Sequence, residues 1–157
     1  MRGEVPEITA TIAALGRRLL EQSGGRDRVL IGVAGEPGAG KSTTAHGLVS
    51  ALAGRAIAVP MDGFHLANQV LNDLRLENRK GAIETFDLAG YAALLARVRA
   101  AQESVVYAPS YVRGVEESIA GAIAVDRFPS SSRKATIYCR TIQMRRGRVP
   151  SSMSGGI

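Results

Sequence analysis

A glycine-rich segment early in the chain carries the residue types of a phosphate site. Residues 35–42 read Gly-Glu-Pro-Gly-Ala-Gly-Lys-Ser, which fits the spacing G-x-x-x-x-G-K-S/T. In such a loop the backbone N–H groups and the start of the following helix converge on phosphate oxygens. We expect Lys41 to contact the β- and γ-phosphates of a nucleotide, Ser42 to give its hydroxyl to Mg²⁺, and Thr43 to assist. The predicted nucleotide-binding residues are Gly35, Glu36, Pro37, Gly38, Ala39, Gly40, Lys41, Ser42 and Thr43.

An aspartate follows the second apolar run of the sequence. Asp62 lies in the segment Met61-Asp62-Gly63-Phe64-His65. Ligands of parallel α/β sheets bind beyond the carboxyl ends of the strands, so we expect Asp62 near the γ-phosphate. There it would act with Lys41 in catalysis, either as the base for an acceptor hydroxyl or as a water-mediated Mg²⁺ ligand. An aspartate that caps a helix or a turn is the alternative, and His65 is a candidate for either substrate binding or a structural role.

The elements that must position these residues alternate between strands and helices. Short apolar runs predict buried strands at 28–34, 56–61 and 104–108. Apolar residues at three- and four-residue steps predict helices over 7–22 and 87–102, the second of them capped by Asp87. We also predict a helix over 42–52, after the glycine-rich loop, and another over 66–76. Residues 77–85 have the polar composition of a loop. Alternation of this kind predicts an α/β fold with a mostly parallel sheet.

An ordered series of motifs resembles the superfamily of uridine kinase, phosphoribulokinase and bacterial pantothenate kinase. The series covers about residues 10–125. It consists of the glycine-rich loop, 61–65, Asn68-Gln69-Val70-Leu71, Arg79-Lys80-Gly81, Thr85-Phe86-Asp87 and Tyr107-Ala108-Pro109-Ser110-Tyr111. The resemblance implies a P-loop NTPase fold of three α/β/α layers whose C-terminal part is missing. It also implies a kinase that uses ATP and Mg²⁺ to phosphorylate a hydroxyl of a nucleoside, pantothenate or a sugar.

The same resemblance assigns roles to single residues. Asp62 takes the position of the acid that activates the acceptor hydroxyl. Arg79 and Lys80 take that of a basic loop near the acceptor, while Tyr111 and Arg113 take that of substrate-side residues after the third strand. Solvated surface charge is the alternative for the three basic residues, and packing is the alternative for Tyr111.

The end of the chain differs in charge from the rest. The whole chain has a net charge of +6, from 20 Lys and Arg against 14 Asp and Glu. Residues 127–157 contain 7 Lys and Arg and no acidic residue, so residues 1–126 are close to neutral. We therefore predict an incomplete kinase domain over 1–126 and a basic, disordered tail over 127–157.

Beyond residue 126 the sequence also departs from the resembled superfamily, which continues with a Glu-Gly-Asn-Tyr-Leu-Leu segment and an arginine-bearing lid. When the third base of each codon is read with the first two of the next, residues 133–140 can encode Glu-Gly-Asn-Tyr-Leu-Leu-Pro. We interpret the segment from about residue 127 onward as an out-of-frame translation that ends prematurely. On this interpretation the chain is weakly active or inactive. The alternative is a genuine basic tail that binds nucleic acid or a membrane.

Composition excludes several other classes. A single cysteine, Cys139, excludes an internal disulfide framework and a multi-cysteine metal site. No stretch approaches the roughly 18 apolar residues of a membrane span, and the first residues lack the pattern of a signal peptide, so a cytoplasmic protein is expected. An Asn-Lys-x-Asp motif for guanine is absent, which argues against a GTPase.

The expected partner is a small-molecule alcohol, and a nucleic acid or membrane partner is not expected. The sequence does not set the oligomeric state, and a homodimer is compatible with it.

Overall fold

The computed structural model describes residues 5–21, 28–36, 38–52, 55–126 and 134–141. Nine main elements follow one another in these ranges. The helices are α1 (Val5–Glu21), α2 (Lys41–Ala51), α3 (Asn68–Asp73) and α4 (Leu88–Ala100). The strands are β1 (Arg28–Gly35), β2 (Ala56–Pro60), β3 (Val105–Val112), β4 (Glu117–Asp126) and β5 (Lys134–Thr141).

The strands form a parallel sheet and a separate hairpin. The parallel sheet has the order β1-β5-β2, and β3 pairs with β4 in an antiparallel two-stranded sheet. The sequence predicted the third strand and a mostly parallel sheet, but it did not identify β4, with which β3 pairs. Only residues 113–116 join β3 to β4. A connection between two neighbouring parallel strands needs about a dozen residues or more. A turn of four residues can therefore only give an antiparallel pair.

Strand β5 is the largest departure from the predicted organisation. We expected no regular structure after residue 126, whereas Lys134–Thr141 lies between β1 and β2 and pairs with both in parallel. Its residues 135–139 read Ala-Thr-Ile-Tyr-Cys, and β-branched and aromatic residues of this kind favour strands. The rest of the predicted tail, residues 127–133 and 142–157, lies outside the described residues. The domain boundary after 126 and the out-of-frame interpretation stay predictions.

Side chains on the two faces of the parallel sheet enter two different cores. Ile31 of β1 packs with Leu48 of α2 and with Leu52, the residue directly after α2. Ile12 of α1 packs against the same cluster. On the other face, Leu30 of β1 contributes to the larger core of α4, β2 and the hairpin. The buried members of that core are Val59, Met61, Phe86, Tyr91, Leu94, Val98, Val106, Ala108 and Val125. Successive side chains of β1 thus point to opposite faces of the sheet, and helices pack against both faces. This confirms the predicted layered α/β fold.

The helices lie where the sequence predicts them, but not all of them have the predicted length. Helices α1 and α2 begin and end within two residues of the predicted bounds, whereas α3 covers only the middle of 66–76. Asp87 caps α4 as predicted, because its carboxylate accepts a hydrogen bond of 2.8 Å from the Gly90 N–H. Two short 3-10 turns, Glu77–Arg79 and Ile83–Thr85, lie in the predicted loop. Within the described ranges, no helix combines the length and apolarity that crossing a bilayer requires.

Candidate active site

The glycine-rich loop connects the end of β1 to the start of α2. Gly38 and Gly40 have φ angles of 79° and 75°, a left-handed conformation that side chains other than glycine adopt at a cost. Gly40 caps α2 without any side-chain hydrogen bond, and the first turn of α2 contains no acidic residue. The first backbone N–H groups of a helix have no partner within the helix, so the start of α2 favours an anion. Pro37 lies outside the described residues.

Lys41 lies at the point where the loop becomes the helix. Its Nζ donates a hydrogen bond of 2.6 Å to the Glu36 carbonyl, so the ammonium group is folded back over the loop. Ser42 and Thr43 follow it in the first turn of α2 with exposed side chains. The cation and two hydroxyls therefore surround the same helix terminus, where negative charge is stabilised.

Asp62 lies on a 3-10 turn, Met61–Phe64, directly after β2. Met61 and Gly63 are buried on either side of it, which fixes the backbone of the turn against the core. His65 adds a second restraint, since its N–H donates to the Asp62 carbonyl at 3.2 Å and its Nδ1 lies 2.8 Å from the same oxygen. The Asp62 side chain is half-buried and faces the space beyond the ends of the parallel strands.

One cavity of about 320 Å³ joins the loop to the aspartate. The described residues that line it come from α2, β2, the turn after β2 and the hairpin. They are Lys41, Ser42, Ala45, His46, Ala58, Pro60, Asp62, Ser110 and Ile123. The structure therefore brings Lys41, Ser42 and Asp62 together, as the strand-end argument predicts.

Six of the described lining residues were not predicted as site residues, and His46, Ser110 and Ile123 are three of them. His46 lies four residues after Ser42 on α2, and this spacing places both on one helix face, a signal that was available. Ser110 and Ile123 lie on β3 and β4, so their approach to the cavity depends on the hairpin. Because β4 was not predicted, no sequence signal connected them to the loop.

The other predicted substrate residues lie beside the cavity rather than in its described lining. The His65 ring packs against Phe86 and Tyr111, with ring centroids 4.0 Å and 4.9 Å apart. The Tyr111 hydroxyl donates to Glu116 at 2.6 Å. Lys80 Nζ donates to the Asn68 Oδ1 and the Glu116 carbonyl, both at 2.6 Å, and lies 5.2 Å from the Tyr111 ring centroid. These contacts connect the loop that carries Lys80 to the tip of the hairpin.

The remaining two basic candidates lie at the surface. Arg79 forms an ion pair with Glu84, and both side chains are substantially exposed. Arg113 is exposed in the turn between β3 and β4. A substrate role for Arg79, Lys80, Tyr111, Arg113 or His65 stays a prediction.

Two ionisable groups of the hairpin have shifted pKa values. Burial, followed by the hydrogen bond to Glu116, raises the pKa of Tyr111. The hydrogen bond from Tyr111, followed by that from the Gly114 N–H, lowers the pKa of Glu116. Charged Glu116 is therefore the form that the folded hairpin stabilises.

The residues around the cavity fit a nucleotide with Mg²⁺. A Cβ on Gly38 or Gly40 would meet nothing within 4 Å, so the loop is open on that side and leaves room for phosphate groups. Ser42 and Asp62 offer the hard oxygen ligands that Mg²⁺ prefers. The described residues contain no cluster of three His, Cys, Asp or Glu side chains that could hold a metal alone. Mg²⁺ is usually bound through one or two protein oxygens together with phosphates and water.

Comparison with known proteins gives concordant matches. Residues 30–97 match the model described as the phosphoribulokinase / uridine kinase family. A Schizosaccharomyces pombe protein described as "putative uridine kinase" is 32% identical over 132 residues, which are 78% of this chain and 56% of that protein. The pantothenate kinase of Shouchella clausii is 38% identical over 100 residues, which are 60% of this chain and 31% of that protein.

A solved structure extends the match to the fold. The crystal structure described as "putative fructose transport system kinase" from Silicibacter sp. TM1040 superposes with a TM-score of 0.70 at 39% identity. The superposition covers 81% of this chain and 62% of that one. The chain thus spans 56% of the length of the Schizosaccharomyces pombe protein and 31% of the length of the Shouchella clausii pantothenate kinase.

Proposed function

Because the chain belongs to the superfamily of uridine kinase, phosphoribulokinase and bacterial pantothenate kinase, we propose that it transfers the γ-phosphoryl group of ATP to a hydroxyl of a small molecule. The observation that carries this proposal is that Lys41, Ser42 and Asp62 line the same cavity. Phosphoryl transfer depends mainly on positioning and on charge stabilisation, and these three residues supply both kinds of group.

The loop and the start of α2 would hold the phosphates. Lys41 Nζ would exchange its hydrogen bond to the Glu36 carbonyl for oxygens of the β- and γ-phosphates. The N–H groups of the first turn of α2 would donate to the same phosphates, and the Ser42 hydroxyl would be a ligand of Mg²⁺. When bound, Mg²⁺ neutralises charge on the phosphates during transfer.

Asp62 would act on the acceptor. Its carboxylate would take the proton of the acceptor hydroxyl as that oxygen bonds to the γ-phosphorus, and ADP would leave with the electron pair of the broken P–O bond. The turn that holds Asp62 is anchored by buried Met61 and Gly63 on both sides. A carboxylate on such an anchored turn loses little conformational entropy when it meets the acceptor.

Two substitutions separate these roles. Lys41→Ala should weaken ATP binding, whereas Asp62→Asn should lower turnover by about 10²–10⁴-fold with ATP binding largely kept. Asp73→Asn, at an exposed residue of α3, is the matched control and should change neither quantity. Acceptor-dependent ADP release and calorimetric ATP binding are the measurements. Full turnover by Asp62→Asn would contradict the role of Asp62, and ATP binding without acceptor-dependent ADP release would identify a nucleotide-binding protein that is not a kinase.

The sequence after residue 126 supports a second part of the proposal, that turnover of this chain is low. A lid arginine stabilises charge on the phosphoryl group in transfer, and such groups contribute orders of magnitude in rate. The Glu-Gly-Asn-Tyr-Leu-Leu segment and the lid are absent from the reading frame of residues 127–157. A version with the frame restored should therefore be faster. In the coding DNA, a single-base change near codon 127 should be enough to restore the Glu-Gly-Asn-Tyr frame, and the interpretation fails if no such change does so. Turnover of about 1–100 per second by the present chain would overturn the proposed impairment.

A further inference from the structure

We propose that the acceptor is a small polyhydroxylated molecule without an aromatic ring, a sugar or sugar alcohol, and that Ser110 and His46 contact it. The inference rests on the proposed kinase function and specifies the substrate class of the same cavity. Three features of the described residues support it: the size of the cavity, the chemistry of its walls and the packing of the aromatic side chains around it.

The cavity is small for a site that must also admit a phosphoryl group. Ligand sites generally have volumes of about 300–1,000 Å³, and this one has about 320 Å³. Lys41 and Ser42 line the part next to the glycine-rich loop, which the phosphate would occupy. The space beside Asp62 admits a compact acceptor.

The wall around Asp62 has the pattern that a polyol needs. Ser110 and His46 offer a hydroxyl and a ring nitrogen, and Asp62 offers carboxylate oxygens. Pro60 and Ile123 provide aliphatic surface in the same cavity, against which the C–H groups of a sugar can pack. Among the described lining residues there is no Phe, Tyr or Trp.

The neighbouring aromatic side chains already pack against one another. His65 contacts both Phe86 and Tyr111, and Phe64 contacts Tyr91 at a centroid distance of 5.0 Å. Tyr111 is further fixed by its hydrogen bond to Glu116 and by Lys80 near its ring. Protein sites that bind nucleobases commonly stack them on aromatic rings, worth about 1–3 kcal/mol per base. None of these rings lines the described part of the cavity, so a nucleobase bound there would find no aromatic ring among the described lining residues on which to stack.

Binding experiments on the full chain test the inference without depending on turnover. The probes are D-ribose, D-fructose and xylitol against uridine and pantothenate, each measured by ligand-observed NMR with a non-hydrolysable ATP analogue and Mg²⁺ present. At least one of the three polyols should bind about tenfold or more tightly than both uridine and pantothenate. Equal or tighter binding of uridine or pantothenate overturns the inference, and so does the failure of all three polyols to bind.

Variants locate the binding. Ser110→Ala and His46→Ala should each weaken binding of the polyol about fivefold to tenfold, because each removes one hydrogen bond. Ser104→Ala, an exposed serine in the loop before β3, is the matched control and should leave the affinity unchanged. His46 is exposed on a helix, so its substitution tests the contact even if a change at Ser110 disturbs the hairpin. Unchanged affinity in both variants overturns the assignment of these contacts.

The ATP analogue separates this inference from the proposed function. If the analogue binds and Lys41→Ala abolishes that binding while no polyol binds, the substrate class is wrong and the nucleotide site stands. If the analogue itself does not bind, the proposed kinase function fails.

Discussion

Gly63 lies so close to Pro109 that a Cβ on Gly63 would overlap the Pro109 carbonyl. This contact joins the turn that carries Asp62 to strand β3, which carries Ser110. Both Asp62 and Ser110 line the candidate site, so the approach of the two backbones sets the width of the cavity between them.

A side chain at position 63 should therefore disturb both the fold and the site. Gly63→Ala is expected to lower the free energy of unfolding by about 1–3 kcal/mol, because backbone atoms rather than a flexible side chain must move. Gly47→Ala is the control, since the three atoms nearest to a Cβ there are Ile12 side-chain carbons, the closest two at 3.3 Å. Urea unfolding of both variants checks the prediction. Equal stability of Gly63→Ala and the parent chain would show that the turn can move away from β3 at little cost.

Two buried hydroxyls should respond in opposite ways to removal. Thr85 accepts a hydrogen bond of 3.0 Å from the Gly81 N–H and donates one of 2.7 Å to the Ala82 carbonyl, whereas the buried Ser118 hydroxyl has no partner among the described residues. Thr85→Val should lower the free energy of unfolding by about 1–3 kcal/mol, because it leaves the Gly81 N–H without its acceptor. Ser118→Ala should be neutral or stabilising, because a buried unpaired hydroxyl costs free energy. Thermal unfolding measures both, and a larger loss at Ser118 than at Thr85 would contradict the hydrogen-bond assignment.

Acid should loosen the tip of the hairpin. The pKa of Glu116 is lowered from its usual 4.5, chiefly by the Tyr111 hydroxyl, so the folded state binds a proton at this site less readily than the unfolded state. The stabilisation is thus complete above about pH 4.5 and is lost as the pH falls through the lower pKa of the folded state.

The acid effect can be assigned to that hydrogen bond. Thermal midpoints measured between about pH 3 and pH 7 should fall less on acidification in Tyr111→Phe and Glu116→Gln than in the parent chain. Glu77→Gln, at an exposed carboxylate for which no hydrogen bond is described, is the control and should retain the parent profile. Identical acid profiles in the parent chain and Tyr111→Phe would remove Glu116 from the explanation.

Because β5 lies between β1 and β2, a proline in β5 should lower the stability of the fold. Ile137 pairs with Ile31 of β1 and with Ala58 of β2, so it lies between two neighbouring strands. Ile137→Pro should unfold or strongly destabilise the chain, by about 3 kcal/mol or more, because proline removes an N–H from a central strand. Ile137→Val keeps that N–H and is the matched control. If both variants are as stable as the parent chain, residues 134–141 contribute nothing to the fold and the predicted unstructured tail stands for them as well.

Local sequence determined the parts of this protein that neighbouring residues can specify. The spacing from Gly35 to Ser42 identified the phosphate loop, because glycines, a lysine and a hydroxyl at fixed intervals build such a loop without distant partners. Helical periodicity located α1, α2 and α4, and the Asp87 cap was recognisable within a few residues. The position of Asp62 after a buried run was enough to predict its approach to the loop.

Tertiary structure alone decided which distant segments meet. The hairpin places Glu116 and Glu117 against Asn68, 48 and 49 residues away in the chain, and it brings Ser110 and Ile123 to the cavity. The insertion of β5 between β1 and β2 likewise depends on pairing across about a hundred residues. Such contacts form when backbone edges and apolar faces from separate parts of the chain are buried together, and periodicity within one segment contains no information about the partner that will cover it.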